Sequence, residues 1–422
     1  MKRKLIVLVL LSLCLPGFSQ VTIEDCYRKA GENYPLIRQY DLIEKTKEYN
    51  LSNAGKGYLP QVTFSAKASY QSDVTQLPFD PSQLGMQGVN IPTLSKDQYS
   101  ATVDVNQTLW DGGAIKSRKE GIRATAETGK KNTEVSLYAI RERINQLYFG
   151  ILLTNAQLRQ NELLKEELKR NYDRVESYIQ NGIAHQADLD AIRVDMLKTE
   201  QNRIQITSTR KAYIEMLSKW TGMEMSPETE FVKPVAERPV SGTIDRPELG
   251  WYEAQIKELE SRNREITSGL MPRLGLFVTG GYGRPGLNML EDDFSAYYMA
   301  GAKLSWNIGN FYTKKNSRRE VEANIQGVET QRATFLFNTG LDVMQKDNRI
   351  GMYLGQLKSD DEIIRLRASI KRSSEVQMAN GTLSGSDLVR DIHAEQMAIQ
   401  DKLLHEMELL LSIYDLKFTI NH

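Results

Sequence analysis

The most restrictive feature of this sequence is a stretch without proline, residues 114–180, in which apolar residues recur at the spacing of packed helices. The apolar positions alternate three and four residues apart, with Thr154 in the next slot of the series: Leu137, Ile140, Ile144, Leu147, Ile151 and Leu158. This heptad spacing predicts a helix that packs against other helices. At about 1.5 Å per residue it is on the order of 100 Å long, more than an ordinary globular core needs. The rest of the chain must therefore supply partners along its length.

The start of the chain has the composition of a secretory signal peptide, which we assign to residues 1–19. Residues 2–4 are basic, residues 5–15 are apolar, and small residues follow at the expected cleavage site. A lipoprotein signal with Cys14 as the lipidated residue is the alternative, although Leu13 is bulky where a small residue is usual. Once this segment is removed, Cys26 is the single cysteine, so no intrachain disulfide can form.

Charge and hydropathy exclude two classes of protein. The chain of 422 residues contains 54 Lys and Arg and 54 Asp and Glu, so it lacks the basic footprint of a nucleic-acid-binding protein. After the first segment there is no second apolar run of the ~20 residues that a membrane-spanning helix needs. The sequence therefore excludes a helical inner-membrane protein.

Four segments alternate apolar and polar residues and are predicted to be β-strands with one apolar face. They cover about residues 60–70, 99–110, 272–283 and 296–308. The glycine- and proline-containing residues between the first two segments are predicted to be a long loop.

The chain repeats itself. The segment 58–62 corresponds to 270–274, the turn at Asn181 and Gly182 corresponds to Asn380 and Gly381, and the second copy has a shorter loop between its strands. We therefore divide the mature chain into a first repeat, 20–220, an irregular equatorial segment, 221–245, and a second repeat, 246–422. Each repeat contains a helix, two strands and a long helical hairpin, 114–220 in the first and 313–418 in the second.

Amphipathic strands of this length in a secreted chain are typical of outer-membrane strands. Four strands cannot close a barrel, and an open sheet edge is not tolerated in lipid, so several chains must combine their strands. Two chains would give eight strands and three would give twelve. A soluble sandwich with long helical hairpins is the alternative.

In these features the sequence resembles the TolC-type outer-membrane factors, the exit ducts of bacterial efflux pumps and type I secretion systems. The resemblance covers essentially the whole mature chain and depends on residues 58–62, residues 105–113 and the two paired turns, 181–189 and 380–388. It implies a mixed α/β membrane protein with long coiled-coil hairpins and four antiparallel transmembrane strands per chain. Three chains would close a 12-stranded β-barrel above a periplasmic helical tunnel.

The sequence contains no indication of an enzyme, a cofactor site or a metal site. His185, His393, His405 and His422 form no ligand motif, and there is no P-loop or nucleophile elbow. The glycines of residues 280–283 follow a strand but open no helix, so they indicate a hairpin and not a phosphate-binding loop.

The candidate functional residues lie at the two helical turns, which the resemblance places at the periplasmic tip where the tunnel narrows. Asp188 and Asp387 each follow the glycine of their turn by six residues, and threefold symmetry would make each a ring of three carboxylates that favours cations. Capping of the return helices is the alternative role. Asp391 could form a further ring or be a solvated helix residue, and Arg390 occupies the position where the family usually has its second acidic residue.

The same turns are candidates for docking a periplasmic adaptor protein. The residues concerned are Gly182, Ile183 and Ala184 in the first turn and Gly381, Thr382 and Leu383 in the second. Tight turns that pack only on themselves are the alternative. Met378 and Leu383 stand where some family members have a tyrosine and an arginine that latch the closed tip, so that latch is not expected here.

The sequence thus predicts a passive homotrimeric duct in the outer membrane of a Gram-negative bacterium. A periplasmic adaptor and an inner-membrane transporter would be its partners, outer-membrane lipid would surround its strands, and it would bind no nucleic acid. The alternative from another class is a secreted coiled-coil stalk or adhesin without a pore. The transported substrate cannot be read from the chain.

Overall fold

The computed structural model describes residues 20–75, 93–182, 184–235, 237–239 and 243–421. The helices are α1 Ile23–Asn33, α2 Gln39–Gly55, α3 Ala114–Tyr138, α4 Ile140–Gln180, α5 Gln186–Thr221, α6 Pro247–Ser268, α7 Asn310–Ala379 and α8 Gly385–Ile420. The strands are β1 Gln61–Tyr70, β2 Asp97–Trp110, β3 Arg273–Arg284 and β4 Ser295–Ser305. The signal segment with Cys14 and the docking candidate Ile183 lie outside the described residues. No helix in the described ranges has both the length and the hydropathy to cross a membrane.

The stretch that the heptad pattern predicts as one helix is divided by a single residue, Ala139. Its backbone keeps helical angles, with φ −59° and ψ −20°, and its N–H donates to the carbonyl of Val135. Of the seam positions in α4, Ile140, Ile144, Leu147, Ile151 and Thr154 are all buried. The apolar spacing thus identified the face along which this helix packs.

The chain forms two compact units. The sheet unit contains residues 39–132 and 250–332, and the helical unit contains residues 20–38, 133–249 and 333–421. The units cut across the sequence repeats because each repeat contributes two strands and the start of its long helix to the sheet unit, and the rest of its helical hairpin to the helical unit.

The sheet unit is built on one antiparallel sheet with the strand order β1-β2-β3-β4. Long helices combined with four antiparallel strands confirm that part of the fold predicted from the sequence. Among the described residues β1 and β4 each have a strand neighbour on one side only, so both edges of the sheet are unpaired.

The two faces of the sheet differ in chemistry. One face carries rows of apolar residues across the four strands, such as Phe64 opposite Val103 and Val278 opposite Ala300. Large side chains on this face are exposed: Phe64 by 70%, Tyr70 by 77% and Tyr298 by 79%. An exposed apolar face of this kind is typical of a surface that meets lipid or another protein.

The helical unit has its core where α1, α4, α5 and α8 meet. Tyr148 of α4 is fully buried there, and its hydroxyl lies 2.7 Å from the carbonyl oxygens of both Val21 and Val232. The hydroxyl thus fixes the segment before α1 and the segment after α5 to the core. A second apolar cluster, near the helical turns, contains Leu168, Val175, Ile192, Leu388 and Ile392.

Candidate functional site at the helical turns

The first turn connects α4 to α5 and is closed by its own backbone. Gly182 adopts the left-handed conformation, with φ 74°, which a residue without a side chain reaches at little cost. Its N–H donates to Ile179 over 3.0 Å, and the Asn181 side chain donates to the carbonyl of Ser177 over 2.8 Å. Gly182 is exposed, whereas Ala184 is half-buried against the apolar cluster near the turns.

The second turn connects α7 to α8 and repeats this design. Gly381 is also left-handed, with φ 69°, and the Thr382 hydroxyl donates to the carbonyl of Gln377 over 2.9 Å. Gly381 and Thr382 are exposed, and Leu383 packs half-buried against the apolar cluster near the turns. Ser384 caps α8 by accepting from the N–H of Asp387 over 3.2 Å. Both turns therefore present a small exposed apex on a packed base.

Asp188 joins the two turns. One carboxylate oxygen accepts from the N–H of His185 over 3.1 Å, which caps α5, and the other accepts from the N–H of Gly385 over 2.8 Å, at the start of α8. Two helix N-termini thus share one carboxylate, an arrangement favoured by the positive end of each helix dipole. The capping role considered for Asp188 is present, and it extends to the helix of the other hairpin.

Gly385 permits this close approach. A Cβ atom at this position would lie 2.6 Å from the Cβ of Asp188, closer than side-chain carbons approach in proteins. Its φ is not in the left-handed region, so the requirement for glycine comes from contact and not from backbone strain. The residue spacing gives no indication of this role for Gly385 because the contact joins residues that are far apart in the chain.

Asp387 and Asp391 have different surroundings from Asp188. Asp387 accepts from the Ser384 hydroxyl over 2.7 Å and forms an ion pair with Arg390 over 3.0 Å. Asp391 accepts from the Ser374 hydroxyl of α7 over 2.5 Å, and its side chain is only 14% exposed, compared with 39% for Asp387. Arg390 therefore offsets part of the negative charge on this face of α8.

Further from the turns, a half-buried lysine connects three helices. Lys371 of α7 forms ion pairs with Glu167 of α4, over 2.6 Å, and with Glu395 of α8. Burial by itself would lower the pKa of Lys371, but the hydrogen bonds to both carboxylates outweigh it, so the pKa is raised. This residue keeps its charge and holds α7 in place through polar contacts.

The contacts between α7 and α8 are polar at several further positions. Asp360 of α7 lies 2.9 Å from His405, the Lys346 ammonium donates to the Thr419 hydroxyl over 2.5 Å, and Tyr353 lies near Glu408. Lys346, Tyr353, Asp360 and Ser374 are spaced by seven residues or by a multiple of seven. This heptad series of polar residues is the sequence signal that could have revealed the polar seam. On its other side α8 contacts α5 through His393 and Asp195, which lie 3.3 Å apart.

The described ranges contain no group of three or more His, Cys, Asp and Glu side chains arranged to hold a metal ion. What the turns offer instead is hydrogen bonding between two hairpins and a small exposed apex on each hairpin.

Comparison with known proteins shows what this chain resembles. Residues 26–223 match the family model described as outer membrane efflux protein, which confirms the resemblance found in the sequence. No curated protein matches the chain.

Solved structures share the fold along most of the chain. The transmembrane channel CusC is 14% identical, with a TM-score of 0.69, and the match covers 96% of this chain and 92% of CusC. The outer membrane channel CmeC of Campylobacter jejuni is 14% identical, with a TM-score of 0.65 and coverage of 96% and 86%. The outer membrane channel MtrE of Neisseria gonorrhoeae, in its open state, is 13% identical, with a TM-score of 0.67 and coverage of 94% and 88%.

Proposed function

We propose that this chain is a member of the outer membrane efflux protein family and assembles as a homotrimeric duct through which substrates leave a Gram-negative cell across its outer membrane. The observation that carries the proposal is the four-stranded sheet with an exposed apolar face and two unpaired edges. Such a sheet is stable in lipid only when both edges pair, because each unsatisfied backbone group in hydrocarbon costs several kcal/mol. Pairing β4 of one copy with β1 of the next closes a barrel, and three copies give twelve strands.

Two exposed apolar stripes on the helical unit support contacts between copies. On α5 the stripe contains Val194, Leu197 and Ile204, and on α7 it contains Ile363, Leu366 and Ile370. Counted along the chain, Leu197 is as far from Gly182 as Leu366 is from Gly381. The two stripes therefore lie at similar distances from their turns. Because the stripes are on different helices, each copy can offer one stripe to each neighbour, which is how a closed ring forms.

The polar contacts of α8 support gating by this helix. Ion pairs and hydrogen bonds through Lys371, His405 and His393 hold α8 to its neighbours, and such contacts can exchange with water at lower cost than an apolar core can open. In this proposal an inner-membrane transporter supplies the energy and a periplasmic adaptor docks on the turns through Gly182, Ile183, Ala184, Gly381, Thr382 and Leu383. Movement of α8 then widens the tunnel.

We further propose that Asp188, Asp387 and Asp391 line the aperture of the tunnel. Asp387 is the most suitable of the three to meet a passing ion because its side chain is the more exposed of the two on α8 and is not used to join the hairpins. Its ion pair with Arg390 should make the cation preference of this ring weaker than that of three free carboxylates.

The test combines mass and cross-linking. The protein-only mass of the detergent-extracted complex should correspond to three chains. Leu197→Cys combined with Leu366→Cys should yield covalently linked dimers and trimers on oxidation. A matched control, Leu366→Cys combined with Lys211→Cys, keeps an exposed cysteine on α5 but places it much further from the turn, and it should not cross-link. A monomer found soluble in the periplasm would refute the duct and would favour the alternative, a secreted stalk or adhesin.

A further inference from the structure

The polar face of the sheet carries an excess of positive charge. Residues on this face are opposed across the strands as Lys67 with Ser100, Thr63 with Asp104, Gly275 with Lys303, and Arg273 with Ser305. Its charged residues are therefore three basic side chains, Lys67, Arg273 and Lys303, and one acidic side chain, Asp104.

The single acidic residue is bound by its neighbours, whereas the basic residues are exposed. The Asp104 carboxylate accepts from the hydroxyl of Thr279 over 2.5 Å and from that of Thr102 over 3.2 Å. Lys67, Arg273 and Lys303 are exposed, and within the described ranges none of them forms an ion pair. Their positive charges are therefore accessible to any molecule or ion that lies next to this face of the sheet.

Arg273 and Lys303 also line a cavity of about 390 Å³ at the end of the sheet nearest α3. Asn106, Thr108 and Ser305 contribute polar groups to the same cavity. From the strand register the two basic residues are diagonal neighbours, roughly 7–8 Å apart at their backbones. Two like charges this close repel each other, so an anion between them would relieve the repulsion.

The one carboxylate in this cavity does not neutralise the pair. Asp111 accepts from the N–H groups of Gly113, over 2.9 Å, and Ile115, over 2.6 Å, and from the Tyr58 hydroxyl over 2.9 Å. These donors belong to the start of α3 and the end of the segment before β1, so the carboxylate is directed at the backbone and not at Arg273 or Lys303.

We propose that this face gives the part of the pore that the sheet lines a preference for anions, with Arg273 and Lys303 forming a binding position for an anionic group such as a carboxylate, sulfonate or phosphate. The inference rests on the proposed duct, in which the polar face of the sheet lines the pore. Three copies would then place six positive charges around the pore, at the level of the cavity lined by Arg273 and Lys303. A cleft lined by one sign of charge raises the local concentration of counter-ions by about 10-fold or more at low salt. The transported substrates are accordingly of an anionic class.

The test is the reversal potential of the purified complex in a planar lipid bilayer under a potassium chloride gradient at low ionic strength. The polar face of the sheet favours chloride and the aspartates proposed at the aperture favour potassium, so the result to compare is the change of the chloride-to-potassium permeability ratio in each variant. Arg273→Gln combined with Lys303→Gln should lower the chloride-to-potassium permeability ratio by roughly 10-fold, because a cleft lined by charges of one sign raises the local concentration of counter-ions by about this factor. Asp104→Asn, which removes the only acidic side chain of this face, should raise the ratio.

The double variant Arg273→Lys with Lys303→Arg keeps both positive charges and changes only the shapes of the side chains, so it should retain the anion preference. Each variant is first shown to have the mass of the unmodified complex, so that loss of assembly is not mistaken for loss of selectivity. Absence of any conductance in the unmodified protein would refute the duct itself. A permeability ratio that neither the neutral pair nor Asp104→Asn changes would overturn this inference and leave the duct standing.

Discussion

The sharpest prediction concerns Asp188, whose carboxylate joins the two helical hairpins. In Asp188→Ala, the N–H of His185 loses its cap, which costs about 1 kcal/mol. The N–H of Gly385, a buried residue, is left without its acceptor, which costs about 1–3 kcal/mol. The first loss acts at the first turn and the second at the second turn, so the free energy of opening the second turn should fall by about 1–3 kcal/mol.

Hydrogen exchange monitored by mass spectrometry measures this quantity directly. Because about 1.4 kcal/mol corresponds to a tenfold change in an equilibrium, peptides containing Gly385 should exchange at least about 5-fold faster in the variant. The affected segment lies far in sequence from the substitution, which is what distinguishes a bridge between hairpins from a local cap.

Asp387→Ala is the matched control because Asp387 has the equivalent position in the second turn but contacts only its own helix. The Ser384 cap remains, since it accepts from a backbone N–H, so the loss should be about 0.5–1 kcal/mol. Exchange in the first turn should not change. If both substitutions speed exchange of the Gly385 peptide equally, or if Asp188→Ala affects only its own turn, the bridge between hairpins is wrong.

Three further results are expected. Tyr148→Phe removes a buried hydroxyl that fixes two carbonyl groups, Val21 and Val232, so it should destabilise the protein by about 1–3 kcal/mol and lower the thermal unfolding midpoint; an unchanged midpoint would show that water satisfies these carbonyls. The Cys26 thiol is fully buried and burial raises its pKa to about 12, so a maleimide at pH 8 should label it only after denaturation, and labelling of the folded complex would contradict the packing of α1. Burial raises the pKa of Asp415 above 3.8, so the ionised carboxylate is disfavoured in the folded state. The contribution of Asp415 to stability should therefore fall as the pH rises from 3.8 through the raised pKa. In Asp415→Asn this part of the pH dependence of unfolding should disappear, and its persistence would assign it to another group.

Much of the fold could be predicted from residue spacing alone. The two-residue period in the segments around residues 61–70 and 273–284 identified strands with one apolar face, and the heptad period in α4 identified its buried face. Such patterns are local, since a side chain's face is fixed by the geometry of its own helix or strand. The left-handed glycines of the two turns were likewise indicated by the Asn-Gly pairs that end α4 and α7.

The local role of the turn aspartates could also be read from sequence. Asp188 and Asp387 stand at the position after each turn where a carboxylate can cap the return helix; the Asp188 carboxylate does so at the first turn, whereas the Ser384 hydroxyl caps α8 at the second. Nothing in the spacing distinguished the two residues, because each follows the glycine of its turn by the same number of residues. The difference arises from the partner that the fold brings to each.

Only the tertiary structure decided that Asp188 reaches Gly385, that Lys371 joins three helices, and that Arg273 and Lys303 share a cavity. Each of these contacts joins residues from separate elements, and their distances depend on how helices and strands pack and not on the period of any one element. The sequence by itself determined which elements form and which face each one buries, because those follow from backbone geometry and the hydrophobic effect acting locally. The tertiary packing decides which charged side chains lie close together, because a side chain's electrostatic partner is fixed only once the chain has folded.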